Sequence, residues 1–159
     1  MRLHRIALAT YSANAADAFS GRGGLYGKGR WHTQGRLIVY VSQNTSLAMA
    51  EGLVHIQRSN NIEPFNRWEI DVPDASIAAA PVLPAEWRTN VALTQAYGDA
   101  WLASRSSVGH FVPSAIVPNE MNCLINPAHP QFGIAWVVSG PHPFAFDSRL
   151  TRPWGGPLG

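Results

Sequence analysis

Residues 37–55, LIVYVSQNTSLAMAEGLVH, decide the fold class. Leu37 to Ser42 is β-branched and aromatic, the composition that fits a pleated, half-buried strand. Asn44 or Thr45 then supplies a helix cap, and the periodicity carries a helix to about Gln57 or Arg58, with Leu47, Ala50 and Val54 on one stripe. A strand that turns into a helix through so short a link folds the early helical turns back near the strand end. Tyr40 and Glu51 can therefore line one cleft.

Working outward, Leu3 to Thr10 reads as a first strand, and 20–35 holds six glycines, too many for a regular helix or a central strand. Arg67 to Val72 alternates as a half-exposed strand, and Ala92 to Ser104 reads as a second helix with Gly98 as its weak point. Short strands are expected at Phe111–Val117, Asn122–Ile125, Ile134–Ser139 and Phe144–Phe146, before a Pro- and Gly-rich tail, 151–159, that lies extended or frays. Two helices among many short strands predict an α+β fold of mixed or antiparallel sheets, not a doubly wound one. A length of 159 residues suits a single domain.

Composition narrows the function classes. Hydrophobic residues make up 46% and charged residues 14%, against about 25% charged in an average soluble domain, so the chain buries surface or reserves it for a partner. Net charge is only +2, which predicts neither direct nucleic-acid binding nor a membrane surface. Residues 1–50 nevertheless carry six basic side chains against Asp17 alone, a balance of +5, and eleven of the twelve basic residues are Arg. Such a distribution suits an anionic ligand, since the guanidinium fork binds phosphate bidentately, and suits ordinary charge scatter equally. Cys123 is the only cysteine and lies in an apolar run, which reads as an inert buried thiol in a reducing, cytoplasmic setting. No apolar run reaches the roughly 20 residues of a membrane span.

Several familiar chemistries fail on spacing. The glycine segment lacks the P-loop pattern, with Arg22 and Gly29 where Gly and a hydroxyl are needed, and it precedes a strand where a dinucleotide fingerprint opens a helix. Six scattered histidines form no metal-ligand pattern, and none is expected. His55 lies one turn beyond Glu51, a spacing that an intrahelical ion pair explains. Ser114 lacks a nucleophile-elbow context, and paired carboxylates for glycosidase chemistry are not evident.

One constellation survives: Arg30 on the glycine loop, Tyr40 on the following strand and Glu51 in the first turns of the helix. A Glu among Ala48, Ala50, Leu53 and Val54 is uncommon unless paired or functional. A structural Glu51–Arg salt bridge with Tyr40 as plain core explains the same spacing.

The segments GRGGLYGKGRWHTQG, VYVSQNTSLAMAEGLVH, GDAWL and VPSAIVPNEMNCLINPAHP, in this order, resemble the RES-domain family, from about residue 5 to residue 130. The resemblance places the family's Arg, Glu and Ser on Arg30, Glu51 and Ser114, with Tyr40 as a fourth catalytic residue. Lys28 and His32 depart from the family's usual Gly and Asn, which bears on loop shape. It implies a fold similar to ADP-ribosyltransferases and a toxin of a toxin–antitoxin pair that consumes NAD as substrate, by hydrolysis, phosphorolysis or transfer to a protein. It further implies an Xre-type helix-turn-helix antitoxin covering the cleft. Arg30, Trp31, Tyr40, Tyr26 and Asn126 are the expected NAD contacts, and Trp31 is expected at the cleft rim. A metal-independent ribonuclease toxin and a module that binds without turnover are the rival readings.

Overall fold

The computed structural model describes residues 1–59 and 64–151, with no side chain described from 55 to 59 or at 151. The strands are β1 (Arg2–Leu8), β2 (Val39–Ser42), β3 (Phe65–Asp71), β4 (Ile77–Ala78), β5 (Gly109–Pro113), β6 (Met121–Ile125) and β7 (Val137–Phe144). The helices are α1 (Ala15–Ala18), α2 (Gly23–Tyr26), α3 (Thr45–Ser59), α4 (Val91–Ser104) and α5 (Ser148–Thr151). All seven strands join one mixed sheet of order β4-β5-β6-β2-β1-β3-β7, in which β4 and β5 are parallel and every other neighbouring pair is antiparallel. The fold is α+β.

The central strands β6 and β2 have apolar residues on both faces, so each face carries its own core. Leu3, Val39, Val41, Ile70, Cys123 and Ile125 point to one face and pack with Phe19 and Trp68. The opposite face presents Tyr40, Val112 and Leu124 to Trp31, Trp101 and Leu102, contributed by the glycine loop and α4. Helix α3 also lies on this second face, with Gly52 over Ile6. Its N-terminus is capped by Asn44, whose Oδ1 accepts from the Leu47 amide at 2.8 Å.

Differences from the sequence reading have local causes. The glycine segment contains one helical turn, α2. Strand β5 stops at Pro113, where the missing N–H ends the ladder. Ile134 to Trp136, expected to begin a strand, is a 3-10 turn, and in place of strands at Ile134–Ser139 and Phe144–Phe146 there is one, Val137–Phe144. It runs through Pro141 and Pro143 because it pairs with β3 alone and sits at the sheet edge, where a missing donor costs least. The tail from 152 onward lies outside the described residues. Cys123 is fully buried, and burial pushes its thiol up to about 12, which fits the expected inert thiol.

Helix α4 sets the shape of the glycine loop. Thr94 Oγ1 donates to the Arg30 carbonyl at 2.7 Å, Gln95 Nε2 to the Gly29 carbonyl at 2.8 Å, and Asp99 accepts from the Thr33 amide at 3.1 Å and from its hydroxyl. Gly98, the weak point on propensity, is where the loop crosses the helix, since a Cβ there would stand 1.8 Å from the Trp31 carbonyl oxygen. Helix propensity alone makes Gly98→Ala stabilising by about 1 kcal/mol. We expect the opposite sign, a loss of about 3 kcal/mol from forced separation of loop and helix, in denaturant unfolding. A gain in stability would show that the loop does not press on α4.

Burial also sets a pH dependence. His4, His32 and His110 all have their pKa lowered from the ordinary value near 6.5, in each case chiefly by desolvation. Because the folded values lie below the unfolded ones, their contribution to stability is complete above about pH 6.5 and is lost as pH falls through the folded values. The unfolding midpoint should therefore drop between pH 7.5 and 5.5, and less so in His32→Asn. A flat midpoint over that range would contradict the burial of these imidazoles.

Candidate functional site

The second face of the sheet carries the candidate functional groups. Alternation along β2 and β6 puts Ser42 and Asn122 on this face, directly opposite one another in the antiparallel register. Ser42 Oγ donates to Asn122 Oδ1 at 2.7 Å, which turns the amide so that Asn122 Nδ2 donates to Glu51 Oε1 on α3. Ser114, just beyond the end of β5 and fully buried, donates its Oγ proton to the same Glu51 oxygen at 2.9 Å. Its own oxygen accepts the amides of Ile116 and Val117, at 3.1 and 3.0 Å, which closes the turn after β5 and fixes the hydroxyl. Glu51 is half-buried, and among the described residues Oε2 has no hydrogen-bond partner. One carboxylate oxygen is thus anchored by two donors and the other has none among the described residues.

Tyr40 lies between Glu51 and the glycine loop. Its phenol is raised above the ordinary range mainly by burial; the Trp31 amide offsets part of the rise, the Asp99 and Glu51 carboxylates add to it and the Arg30 guanidinium offsets a little more, so the Glu51 and Arg30 charges both lie near this ring. The hydroxyl is fully used. His32 Nε2 faces the Gly27 carbonyl at 3.1 Å and so carries the ring proton, which leaves Nδ1 to accept the Tyr40 O–H at 2.8 Å. The Tyr40 oxygen in turn accepts the Trp31 amide at 3.2 Å. Gly29 is obligatory beneath this contact, because a Cβ there would stand 2.7 Å from the Tyr40 oxygen and 2.6 Å from the His32 ring.

Arg30 follows directly. Its Nη1 donates to the carbonyls of Trp87 and Arg88, at 3.5 and 3.1 Å, and its guanidinium carbon lies 6.0 Å from the Trp87 ring. Among the described residues no carboxylate pairs with it. The alternative of a Glu51–Arg30 salt bridge is therefore not what the structure contains.

The structure brings Arg30, Tyr40, Glu51 and Ser114 to one face of the sheet. The other expected NAD contacts are placed differently from one another. Trp31 is 2% exposed, stacked on Trp87 at 6.0 Å and edge-on to Tyr97, so it does not form the rim; Trp87 stands outside it. Tyr26 is 81% exposed on α2. Asn126 lies one turn of pleat beyond Leu124, donates to the Leu102 carbonyl, accepts from the Ala128 amide and borders a separate hollow of about 250 Å³ with Arg36 and Arg105. The side chain of His55 is outside the described residues, so the pairing expected from its spacing has no observation. Among the described residues no His, Cys, Asp and Glu cluster could hold a metal ion.

Sequence reasoning missed Asn122, Ser42 and the fixed tautomer of His32. Asn122 carried a signal, being polar inside the apolar run MNCLI, but its partner depends on the pairing of two strands eighty residues apart. A further hollow of about 520 Å³ is lined by Phe19, Leu25, Leu37, Phe132 and Arg22 but contains no acid. Its greater size does not make it the better candidate, since it lacks an anchored carboxylate of the kind found at Glu51.

Comparisons with known proteins identify the family of the chain. The model of the RES domain matches residues 2–147. A protein of Yersinia enterocolitica named Toxin Res is 38% identical over 156 residues, covering 94% of this chain and 99% of that one. A Sphingobium protein named Prs ADP-ribosylating toxin is 40% identical over 125 residues, covering 73% and 76%. In structure the chain is similar to one from the M. tuberculosis MbcT–MbcA toxin–antitoxin complex, with a TM-score of 0.68 and 16% identity over 94% of this chain and 86% of that one, a likeness of fold. With 38% identity across nearly the whole of a protein named Toxin Res and a domain match spanning 2–147, the chain belongs to the RES-domain family.

Proposed function

We propose that this protein is a toxin of a toxin–antitoxin pair that cleaves the nicotinamide–ribose bond of NAD. The observation that carries this reading is Glu51 with Oε1 held by Ser114 and Asn122 and Oε2 open on the same face as Arg30. NAD is a substrate here, and the chemistry needs no prosthetic group. The C1′–N1 bond breaks with its electron pair going to the pyridinium nitrogen, so nicotinamide departs neutral and requires no acid. Positive charge develops on the ribose, and a preorganised carboxylate stabilises it where it forms. Glu51 Oε2 meets the ribose, because Oε1 is already saturated by its two donors. Water or inorganic phosphate then bonds to C1′, giving ADP-ribose with release of a proton, or its 1″-phosphate.

Arg30 has donors beyond Nη1 free for the diphosphate, and its backbone is fixed by Thr94. Tyr40 gives the nicotinamide a ring to lie against while its hydroxyl, committed to His32 and Trp31, holds the loop; with its pKa raised it stays a neutral phenol. Ser114 positions Glu51. The whole of 1–159 acts as one RES domain, and an antitoxin of helix-turn-helix type inhibits by covering the Glu51 groove. Its presence as a partner rests on the toxin–antitoxin complex that shares the fold. Transfer of ADP-ribose to a protein is the second reading, favoured by the name of the Sphingobium relative. Both readings share every step before attack on C1′.

Mass spectrometry of NAD incubated with the purified chain, with and without phosphate, should show nicotinamide release and an ADP-ribosyl product. Intact NAD with degraded RNA would transfer the assignment to a ribonuclease. Glu51→Gln keeps the shape and removes the charge, so turnover should fall at least about a hundredfold with the fold and most NAD affinity kept. Near-normal turnover would remove Glu51 from the mechanism. Ser114→Ala should cost about tenfold in kcat, as Asn122 still holds the carboxylate, and an unchanged kcat would show that the Ser114 contact does not position it.

A further inference from the structure

The turn that holds Arg30 carries a second cation. Residues Ala85–Arg88 form a 3-10 turn that precedes α4, and nothing in its sequence pattern separates it from an ordinary surface connection. Arg88 lies with its guanidinium carbon 4.9 Å from the centre of the Trp87 ring, and Arg30 lies 6.0 Å from the same ring. Trp87 is itself stacked on the buried Trp31, so the indole against which both cations rest is anchored in the core.

Each guanidinium is held by Nη1 to backbone carbonyls alone: Arg30 to Trp87 and Arg88, and Arg88 to Ala115 at 3.1 Å. Among the described residues neither has a carboxylate partner, and Nε and Nη2 of both have no protein acceptor. The Ala115 carbonyl belongs to the residue after Ser114, whose hydroxyl holds Glu51. Arg88 is thereby tied to the turn that carries Ser114, while Arg30 is tied to the backbone of the Trp87–Arg88 turn. Two uncompensated like charges around one ring repel, and each is held in place by neutral carbonyls that leave its outward donors free. Such a pair is relieved by a ligand with two linked negative charges.

We propose that Arg88 is a substrate-binding residue that, with Arg30, forms a two-guanidinium clamp for the diphosphate of a nucleoside-diphosphate-containing substrate. The clamp rests on the reading of the groove as an NAD site and deepens it by assigning the phosphate end. It predicts preference for ligands with two linked phosphates over those with one. Trp87 acts as the backing plate that sets the spacing of the two cations.

Calorimetric titration with ADP, and separately with AMP, tests the clamp without reference to turnover. The unaltered protein should bind ADP more tightly than AMP, with affinity falling as salt is raised. Arg88→Ala should weaken ADP binding about tenfold, the scale of one charge-assisted hydrogen bond, with much less effect on AMP. Arg88→Lys, which keeps the charge but not the fork, should recover part of the loss and guards against a folding defect in the alanine variant. The control is Arg22→Ala, an exposed arginine on the opposite side of the sheet, whose ADP affinity should equal that of the unaltered protein. Equal ADP affinity in Arg88→Ala and the unaltered protein overturns the clamp, even if NAD is turned over. Arg88-dependent ADP binding without NAD turnover keeps the clamp and overturns the NAD-cleaving reading.

Discussion

A single carboxylate oxygen, Glu51 Oε1, ties together four elements of this fold. Through Asn122 it is joined to β6 and, by the Ser42 hydroxyl, to β2; through Ser114 it is joined to the turn after β5; its own backbone belongs to α3. Leaving any member of such a buried chain without its partner costs about 1–3 kcal/mol, so the register of β2 on β6 and the depth of α3 are specified together. The second oxygen then has a defined position, with no hydrogen-bond partner among the described residues. A pre-set, half-satisfied carboxylate is what a reaction that develops positive charge requires, because no reorganisation remains to be done as the charge appears.

The opposite wall is fixed by a different device. A glycine-rich loop has little conformation of its own, and here helix α4 supplies it through Thr94, Gln95 and Asp99, with Gly98 removing the side chain that would hold the loop off. The imidazole of His32 and the hydroxyl of Tyr40 close the loop onto β2. Arg30 is therefore aimed by bonds to its backbone and by the Trp87–Arg88 turn, with no acid paired to it among the described residues. In the proposed reading, a ligand bridging the two walls meets a cation on one and an open carboxylate oxygen on the other.

The strand–helix unit from Leu37 onward was legible because its signals are local: β-branched residues, an Asn cap three residues before Leu47, and a helical stripe. The second helix was legible for the same reason, and Gly98 was visible as a defect of propensity though not as a crossing point. Where reading failed, the deciding factor was non-local. Whether the segments around Gly140 make two strands or one depends on their lying at an edge, and the partners of Asn122 and Ser42 depend on a pairing across eighty residues. Ordered motifs singled out Arg30, Tyr40, Glu51 and Ser114, which the structure places on one face of the sheet. The burial of Trp31 and Asn126 was not visible in sequence, since a Trp beside an arginine and an Asn after a strand look alike whether they face solvent or a core.

A crystal structure of Glu51→Gln with NAD bound measures the central claim most directly. The account predicts the nicotinamide ribose within hydrogen-bond distance of the side-chain atom of residue 51 that replaces Oε2, with Ser114 and Asn122 still on the other atom and the diphosphate against Arg30. NAD seated elsewhere, or a residue 51 side chain turned so that Ser114 and Asn122 no longer hold it while the ribose is bound, would contradict it.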